Sequence, residues 1–321
     1  VSVDLPELKQ MEGLIAVAPD ADEFVAAVGK ALAHPPTRSE IAARREFASS
    51  QTWSHRAAEL DRALRDAPEP HVTIVVVTYN NLEFTKACLL SLERHADYRE
   101  CDVIVVDNAS SDGTPEFLAA WAAAAPGRTV IANSENTGFA AANNQGVRAA
   151  TGEYVVLLNN DTFVTDGWIR TMLRHLRRDS RLGMVGPVTN NIGNEAKIDI
   201  NYANMEEMAV ACREHTTRHL GEAMRIPVLA FFCVMIQRDL YLRIGGLDEG
   251  YGRGFFEDDD FCKRLGQEGL DVACAEDVFV HHHLSASFEK VSTQERKALF
   301  ERNRARFEER WGPWIPHRYR S

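Results

Sequence analysis

The chain has 321 residues, of which 45% are hydrophobic and 26% charged, and a formal net charge of -11. That length buries a sizeable core without staples, and that composition excludes the disordered and fibrous classes. The negative balance opposes a phosphate backbone, and no long basic stripe interleaved with aromatics is present, so no nucleic-acid partner is expected.

Residues 20–67 carry apolar side chains at helical spacing, as Phe24, Val28 and Leu32 and later Trp53, Ala57, Leu60 and Leu64. His34-Pro35-Pro36-Thr37 interrupts this helical part, and Ala67-Pro68-Glu69-Pro70 closes it as a stiff, extended link. The expected organisation is a helical N-terminal extension over 1–69, a main domain over 70–290, and a C-terminal helix and tail over 291–321. The chain opens on Val1 rather than Met, consistent with ends cut from something longer.

Beyond residue 70, β-branched runs at 72–78, 102–107, 129–132 and 154–158 alternate with helix-like stretches near 84–95, 114–124 and 139–150. Thr114-Pro115 is expected to supply the cap and first turn of the second. Strands separated by helices of this length predict an α/β fold with a parallel sheet covered on both faces. Ligands of such sheets sit at the carboxyl ends of the strands. All four runs end in polar residues: Thr78-Tyr79-Asn80-Asn81, 107–113, 133–138 and Asn159-Asn160-Asp161. Further on, 231–242 predicts a strand leading into a short helix, followed by Gly245-Gly246-Leu247-Asp248.

Three later groups invite chemistry. Asp161, ending a buried hydrophobic run, is placed either to hold a hard divalent cation or to close the strand as an Asx turn. Glu257-Asp258-Asp259-Asp260 repel one another unless water or cations surround them, though acidic residues also favour the first turn of a helix. His281-His282-His283 follow an apolar run, where an imidazole can ligate metal or phosphate or simply pack. The six cysteines, Cys88, Cys101, Cys212, Cys233, Cys262 and Cys274, show no metal or disulfide spacing and read as reduced core residues. The longest apolar run, 228–236, is far short of the roughly 20 residues a membrane span needs, and no signal peptide opens the chain. A cytoplasmic protein is expected.

Six motifs in order, Val-Thr-Tyr-Asn (77–80), Val-Asp-Asn-Ala-Ser-Ser-Asp-Gly-Thr (106–114), Asn-Thr-Gly-Phe-Ala-Ala-Ala-Asn-Asn-Gln-Gly (136–146), Leu-Leu-Asn-Asn-Asp-Thr (157–162), Gly-Gly-Leu-Asp-Glu (245–249) and Phe-Glu-Asp-Asp-Asp-Phe (256–261), carry a family resemblance. From about residue 72 to 311 the chain resembles the family 2 glycosyltransferases, especially the bacterial branch that builds rhamnose-containing surface polysaccharides. The resemblance implies a GT-A fold, Rossmann-like, with a mainly parallel mixed sheet and helices on both faces. It also implies inverting transfer from a nucleotide diphosphate sugar, dTDP-rhamnose ahead of a UDP-sugar, to a growing surface glycan that is free or lipid-linked, at the inner face of the membrane in the latter case.

The family writes its metal site as Asp-x-Asp, so Asn159 replaces the first carboxylate and Asp161 becomes the principal ligand of Mg2+ or Mn2+. Counting back from Ser287-Phe288 selects His282 as the metal or diphosphate contact, with His281 as fallback. By the same resemblance Asp258 is the general base. Thr78, Tyr79, Asn80 and Asp107 form the base and ribose pocket, and Asn136, Gly138, Asn143, Asn144 and Asn160 contribute further nucleotide contacts. Glu257, Asp260, Asp248 and Trp168 lie on the acceptor side or orient neighbours, with Tyr251 a further candidate. Phe231, Phe232 and Cys233 are bulkier than the family's residues there. The first 67 residues, with Asp22-Glu23-Phe24 and Trp53-Ser54-His55-Arg56, loosely resemble the closing helices of a GT-B transferase, which implies neighbouring transferase modules; a helical docking extension is the other reading. Near the end, Leu299, Phe300, Phe307 and Trp311 share a helical stripe read as packing on the sheet, with a membrane-surface role as the alternative. The alternative to an enzyme is a silent GT-A module that binds glycan or positions a neighbour. A nucleotidyltransferase needs a basic, Gly-rich phosphate loop that 78–82 does not supply.

Overall fold

The structure of the chain, a computed structural model, describes every residue except 6, 7, 9, 10, 12, 67, 97, 284–292 and 321, with only the backbone at 64–66. Ala67, Ser287, Phe288 and the side chain of Leu64 therefore lie outside the described residues. Two compact units are present, Val1–Glu69 and Pro70–Ser321.

The first unit pairs two short parallel strands, β1 (Ser2–Val3) and β2 (Val17–Ala18), ahead of three helices, α1 (Ala21–Ala33), α2 (Arg38–Ser50) and α3 (Trp53–Asp66). Asp20 caps α1 by accepting from the Glu23 N–H, and Thr37 with Glu40 forms a capping box on α2. Pro35 and Pro36, which have no N–H to give, separate the two helices.

In the second unit β3 (Val72–Thr78), α4 (Leu82–Arg94), β4 (Cys101–Asp107), α5 (Thr114–Ala123), β5 (Arg128–Ala132), α6 (Phe139–Ala149) and β6 (Tyr154–Asn159) alternate as the pattern of runs predicts. Then follow β7 (Thr162–Phe163), α7 (Trp168–Arg178), β8 (Leu182–Val188), α8 (Met205–Arg218), β9 (Ala223–Arg225), β10 (Cys233–Gln237), α9 (Arg238–Ile244), α10 (Glu257–Gln267), β11 (Asp271–Phe279), β12 (His281–His282) and α11 (Thr293–Trp311). Eight strands form one sheet in the order β5-β4-β3-β6-β10-β8-β11-β9. The first four are parallel, β10 runs antiparallel to β6 and β8, and β9 runs antiparallel to β11, so the sheet is mixed.

Both faces of the sheet are covered, which is why β3 and β6 read as continuous apolar runs rather than alternating ones. Val75, Val155 and Leu157 join one core cluster, while Ile74, Val76, Val156 and Leu158 join the other. Gly146 lets α6 lie flat on β3, since a Cβ there would fall 2.3 Å from Cγ1 of Val75. One local expectation is corrected. Thr114 is the first residue of α5 rather than its cap; Gly113 occupies the cap position at φ +69°, and the Asp112 carboxylate accepts from the Thr114 N–H and hydroxyl at 3.3 and 2.6 Å. Among the described residues no helix is long and apolar enough to cross a membrane.

Candidate active site

The carboxyl ends of β3, β4, β5 and β6 bring four polar loops to one edge of the sheet. Asn108, which the sequence reading passed over, ties two of them together. Its buried amide donates to Oδ1 of Asn136 (2.9 Å) and the Gly138 carbonyl, while its oxygen accepts from Asn133 Nδ2 and from the N–H and hydroxyl of Thr137. Asn80, in left-handed backbone, accepts from the Ser111 N–H at 2.8 Å and gives its own N–H to the Ser110 hydroxyl at 2.7 Å. Asp107 accepts from the Ser110 N–H, and Tyr79 beside it is 43% exposed.

Several residues expected at the nucleotide have hydrogen-bond partners within the protein. Thr78 and Asn160 close a buried network, with Asn160 Nδ2 donating to the hydroxyls of Thr78 (3.1 Å) and Thr85 (3.0 Å). Asn143 donates to the Phe139 carbonyl within its own helix. Asn144 uses both ends of its amide on Leu247, Glu249 and Tyr241. Gly138 permits a close approach to backbone: at φ +90° a Cβ would lie 2.5 Å from the Gly252 carbonyl oxygen.

The turn at Asn159-Asn160-Asp161 leads into β7, which pairs with β12 so that Thr162 faces His282. That pairing brings Nε2 of His282 to 3.4 Å from Oδ1 of Asp161. The other ring nitrogen, Nδ1, faces the Asn191 carbonyl at 3.0 Å and donates to it, which orients Nε2 toward Asp161. The ring stacks on Phe232 at a centroid distance of 5.0 Å, so the bulky residue at that position is the shelf that orients it. His281 points the other way, as neighbours on a strand must. It meets the Tyr202 hydroxyl, and burial, followed by the charges of His283 and His282, pushes its imidazole down to about 4. Among the described residues no group of three or more His, Cys, Asp or Glu side chains converges as a metal cage, so Asp161 and His282 stand as a two-donor pair.

The acidic run opens α10. Phe255 and Phe256 ahead of it both take left-handed backbone, at φ 70° and 74°, a strained pair for non-glycine residues. They are held by Asn303 of α11, whose amide donates to the carbonyls of Tyr251 (2.8 Å), Gly254 (2.7 Å) and Phe255 (3.2 Å), and by Phe256 packing on Phe300, Phe307 and Trp314. The only sequence signal for Asn303 is a lone amide beside the apolar stripe of Phe300 and Phe307.

The four carboxylates divide their roles. Glu257, Asp258 and Asp259 line a cavity of about 660 Å³ together with Asn159 and His282. Burial, and then the charges of Asp259 and Glu257, push the Asp258 carboxyl well above the usual carboxylate range. Burial likewise pushes Glu257 up to about 7. Asp259 instead accepts from Trp314 Nε1 (3.1 Å) and His317 Nε2 (2.9 Å), a bond that raises the proton affinity of His317. Asp260, fully buried, accepts from Arg264 (2.8 Å), Arg310 (3.0 Å) and Trp311 (2.8 Å). It orients neighbours and has no face toward the cavity.

Of the residues expected on the acceptor side, Trp168 is 1% exposed in the core on α7. Tyr251 is equally buried. Asp248 caps a 3-10 turn through the Gly250 N–H and pairs with Arg306 at 2.9 Å, in a separate hollow shared with Asn144. Partial burial opposes its ionisation, but those bonds hold its carboxyl below the usual range.

The profile described as Glycosyl transferase family 2 matches residues 73–245. The pre-mycofactocin glycosyltransferase of Mycobacterium tuberculosis is 28% identical over 226 residues, covering 66% of this chain and 45% of that protein. An uncharacterized protein of Sinorhizobium fredii, y4gI, is 25% identical over 257 residues, covering 75% of this chain and 28% of its own length. The chain thus spans less than half of either relative. Among solved structures, GalNAc-T7 with UDP, GalNAc and Mn2+ superposes with a TM-score of 0.61 at 16% identity, covering 77% of this chain and 49% of that one. The mannosyltransferase PcManGT from Pyrobaculum calidifontis, in complex with GDP-Man and Mn2+, gives 0.53 at 23% identity, with 72% and 64% covered. These likenesses establish the fold as that of GT-A glycosyltransferases.

Proposed function

The chain belongs to glycosyltransferase family 2, and on that footing we propose that it moves a sugar from a pyrimidine nucleotide diphosphate to a hydroxyl of a growing cell-surface glycan, inverting the anomeric carbon. The donor put first is dTDP-rhamnose, with UDP-sugars second; the acceptor is a free or lipid-linked glycan. One observation carries the reading: a carboxyl of raised proton affinity, Asp258, shares a cavity with His282, which in turn reaches Asp161.

Asp161 Oδ1 and His282 Nε2 are the donors this chain offers to Mg2+ or Mn2+. A hard carboxylate oxygen with a neutral imidazole nitrogen suits either ion, and so short a donor set leaves positions for water and the donor phosphates. Mn2+ accompanies the nucleotide or nucleotide sugar in both solved structures above, which supports the assignment. A cation held there supplies compensation for the charge that grows on the departing diphosphate.

Asp258 takes the proton from the acceptor hydroxyl as its oxygen bonds to the anomeric carbon and the bond from that carbon to the diphosphate oxygen breaks. Attack from the side opposite the leaving group inverts the centre. Glu257, whose carboxyl burial pushes up to about 7, is only partly ionised at neutral pH and so limits the negative charge beside the base. Asp107 and the exposed ring of Tyr79 are the proposed contacts for the pyrimidine and ribose, with Asn80 and Asn136 shaping the loops around them.

The test is calorimetric titration of UDP, dTDP and GDP with and without Mn2+, into the protein and into Asp161→Ala. Pyrimidine-selective, metal-enhanced binding that the substitution removes is the expected result. Absence of nucleotide binding under every condition refutes the active-transferase reading and favours the silent module that Asn159 in place of a carboxylate allows.

A further inference from the structure

After Trp311 the chain leaves α11 and continues without regular secondary structure to Arg320. The end of α11 and this tail are fixed at three places by buried carboxylates. Asp260 holds Arg310 and Trp311, Asp259 holds Trp314 and His317, and Glu276 accepts from Arg320 at 2.7 Å. A carboxylate removed from water needs such partners, so each anchor stabilises the carboxylate and the tail together. Pro313 and Pro316 further limit the conformations available between the anchors.

The path matters because Trp314, Pro316, His317 and Tyr319 line the same cavity as Asp258 and Glu257. With its Nε1–H committed to Asp259, the indole of Trp314 has one fixed orientation, and it braces edge-on against Phe256 and Phe300 at 5.2 and 5.8 Å. An aromatic body with a tethered polar tip is a rigid apolar surface. The C–H face of a pyranose ring is the part of a sugar that such a surface fits, and the imidazole and phenol nearby supply polar groups at its rim. Asp258 and Asp259 are consecutive on one helical turn, so the spacing between base and wall is rigid.

We propose that the C-terminal tail is the acceptor-side wall of this cavity, with Trp314 the surface against which the acceptor sugar lies and Asp259 the positioning residue that holds it. The proposal rests on the transferase reading and adds which part of the chain selects the acceptor.

The experiment labels the full chain with 5-fluorotryptophan, which gives five fluorine signals, one per tryptophan. The Trp314 signal is assigned by its loss in Trp314→Phe. With UDP or dTDP and Mg2+ present, methyl α-L-rhamnopyranoside, methyl β-D-galactopyranoside and methyl α-D-mannopyranoside are added in turn. The expected result is that at least one glycoside shifts the Trp314 signal selectively and saturably. Asp259→Asn is expected to weaken that glycoside about 10-fold, worth about 1.4 kcal/mol, while nucleotide affinity stays within about twofold. A Trp314 signal that no glycoside moves, or that moves only in step with the other four, overturns the proposal. Unchanged glycoside affinity in Asp259→Asn overturns the positioning role. Nucleotide binding with a silent Trp314 sinks this inference alone, whereas failure to bind any nucleotide removes the transferase reading beneath it.

Discussion

Nε2 of His282 faces Oδ1 of Asp161 at 3.4 Å, across the antiparallel pairing of two two-residue strands. The pair exists only because β12 crosses back to β7 at the end of the sheet, and because the Asn191 carbonyl and the Phe232 ring hold the imidazole from two sides.

His282→Ala is therefore expected to weaken Mn2+-dependent nucleotide binding about 10–100-fold, the range seen when a ligand or its support is lost at a metal site. Titration of dTDP and UDP at fixed Mn2+ measures it, with circular dichroism confirming the fold. Equal affinity in the variant and the parent excludes His282 from the metal site.

Asp258→Asn removes the proton acceptor while keeping shape, so transfer should fall about 10²–10⁴-fold with nucleotide binding retained. In the parent protein kcat/KM should rise with pH, because the base works only when ionised and its pKa lies above the carboxylate range. The apparent pKa belongs to the Glu257–Asp258 pair. A profile flat from pH 5 to 8 contradicts that role.

Glu257 makes a separate prediction about stability. Its folded pKa, about 7, exceeds the ordinary 4.5, so the folded state holds this proton more tightly than the unfolded chain does. Stability from this group is complete below about 4.5 and lost as pH rises through about 7. Glu257→Gln should flatten that decline, making the variant more stable than the parent at pH 8 but not at pH 4. Urea midpoints at the two pH values decide, and parallel pH curves for both proteins are the contrary outcome.

Asp260→Ala leaves Arg264 without its buried carboxylate and frees Arg310 and Trp311, so a loss of about 3–5 kcal/mol is expected. Denaturant unfolding reads it, and a change below about 1 kcal/mol would show that α11 is secured elsewhere.

Gly138→Ala combines a left-handed backbone with a Cβ 2.5 Å from the Gly252 oxygen. A destabilisation above about 1 kcal/mol is expected, opposite in sign to the gain of about 0.4–1 kcal/mol from replacing a glycine at a compatible position. Unfolding in urea measures it, and a neutral result would mean that the 252 loop yields.

Much was legible in the residues alone. Continuous β-branched runs can be stable only as strands buried on both faces, so β3, β4, β5 and β6 and the helices between them followed from periodicity, and their polar ends marked the functional edge. Four of the six ordered motifs lie inside the stretch, 73–245, that the family profile matches. The run Glu257-Asp258-Asp259-Asp260 announced a functional helix start, but not which carboxylate does what. On a helix consecutive side chains diverge by about 100°, so the four fan around the axis and only the surroundings assign them. Packing against α11 and the tail gave Asp259 and Asp260 their indole, imidazole and guanidinium partners, while Glu257, Asp258 and Asp259 line the cavity. The family resemblance put Asn144, Thr78 and Asn160 at the nucleotide, and local sequence gave no sign of the partners far along the chain, such as Leu247 for Asn144 and Thr85 for Asn160, that also hold them. Local sequence sets which groups are available and roughly where, whereas which of them face a ligand depends on long-range contacts that satisfy the others first, because a buried polar group must find a partner in the protein if it has none in solvent.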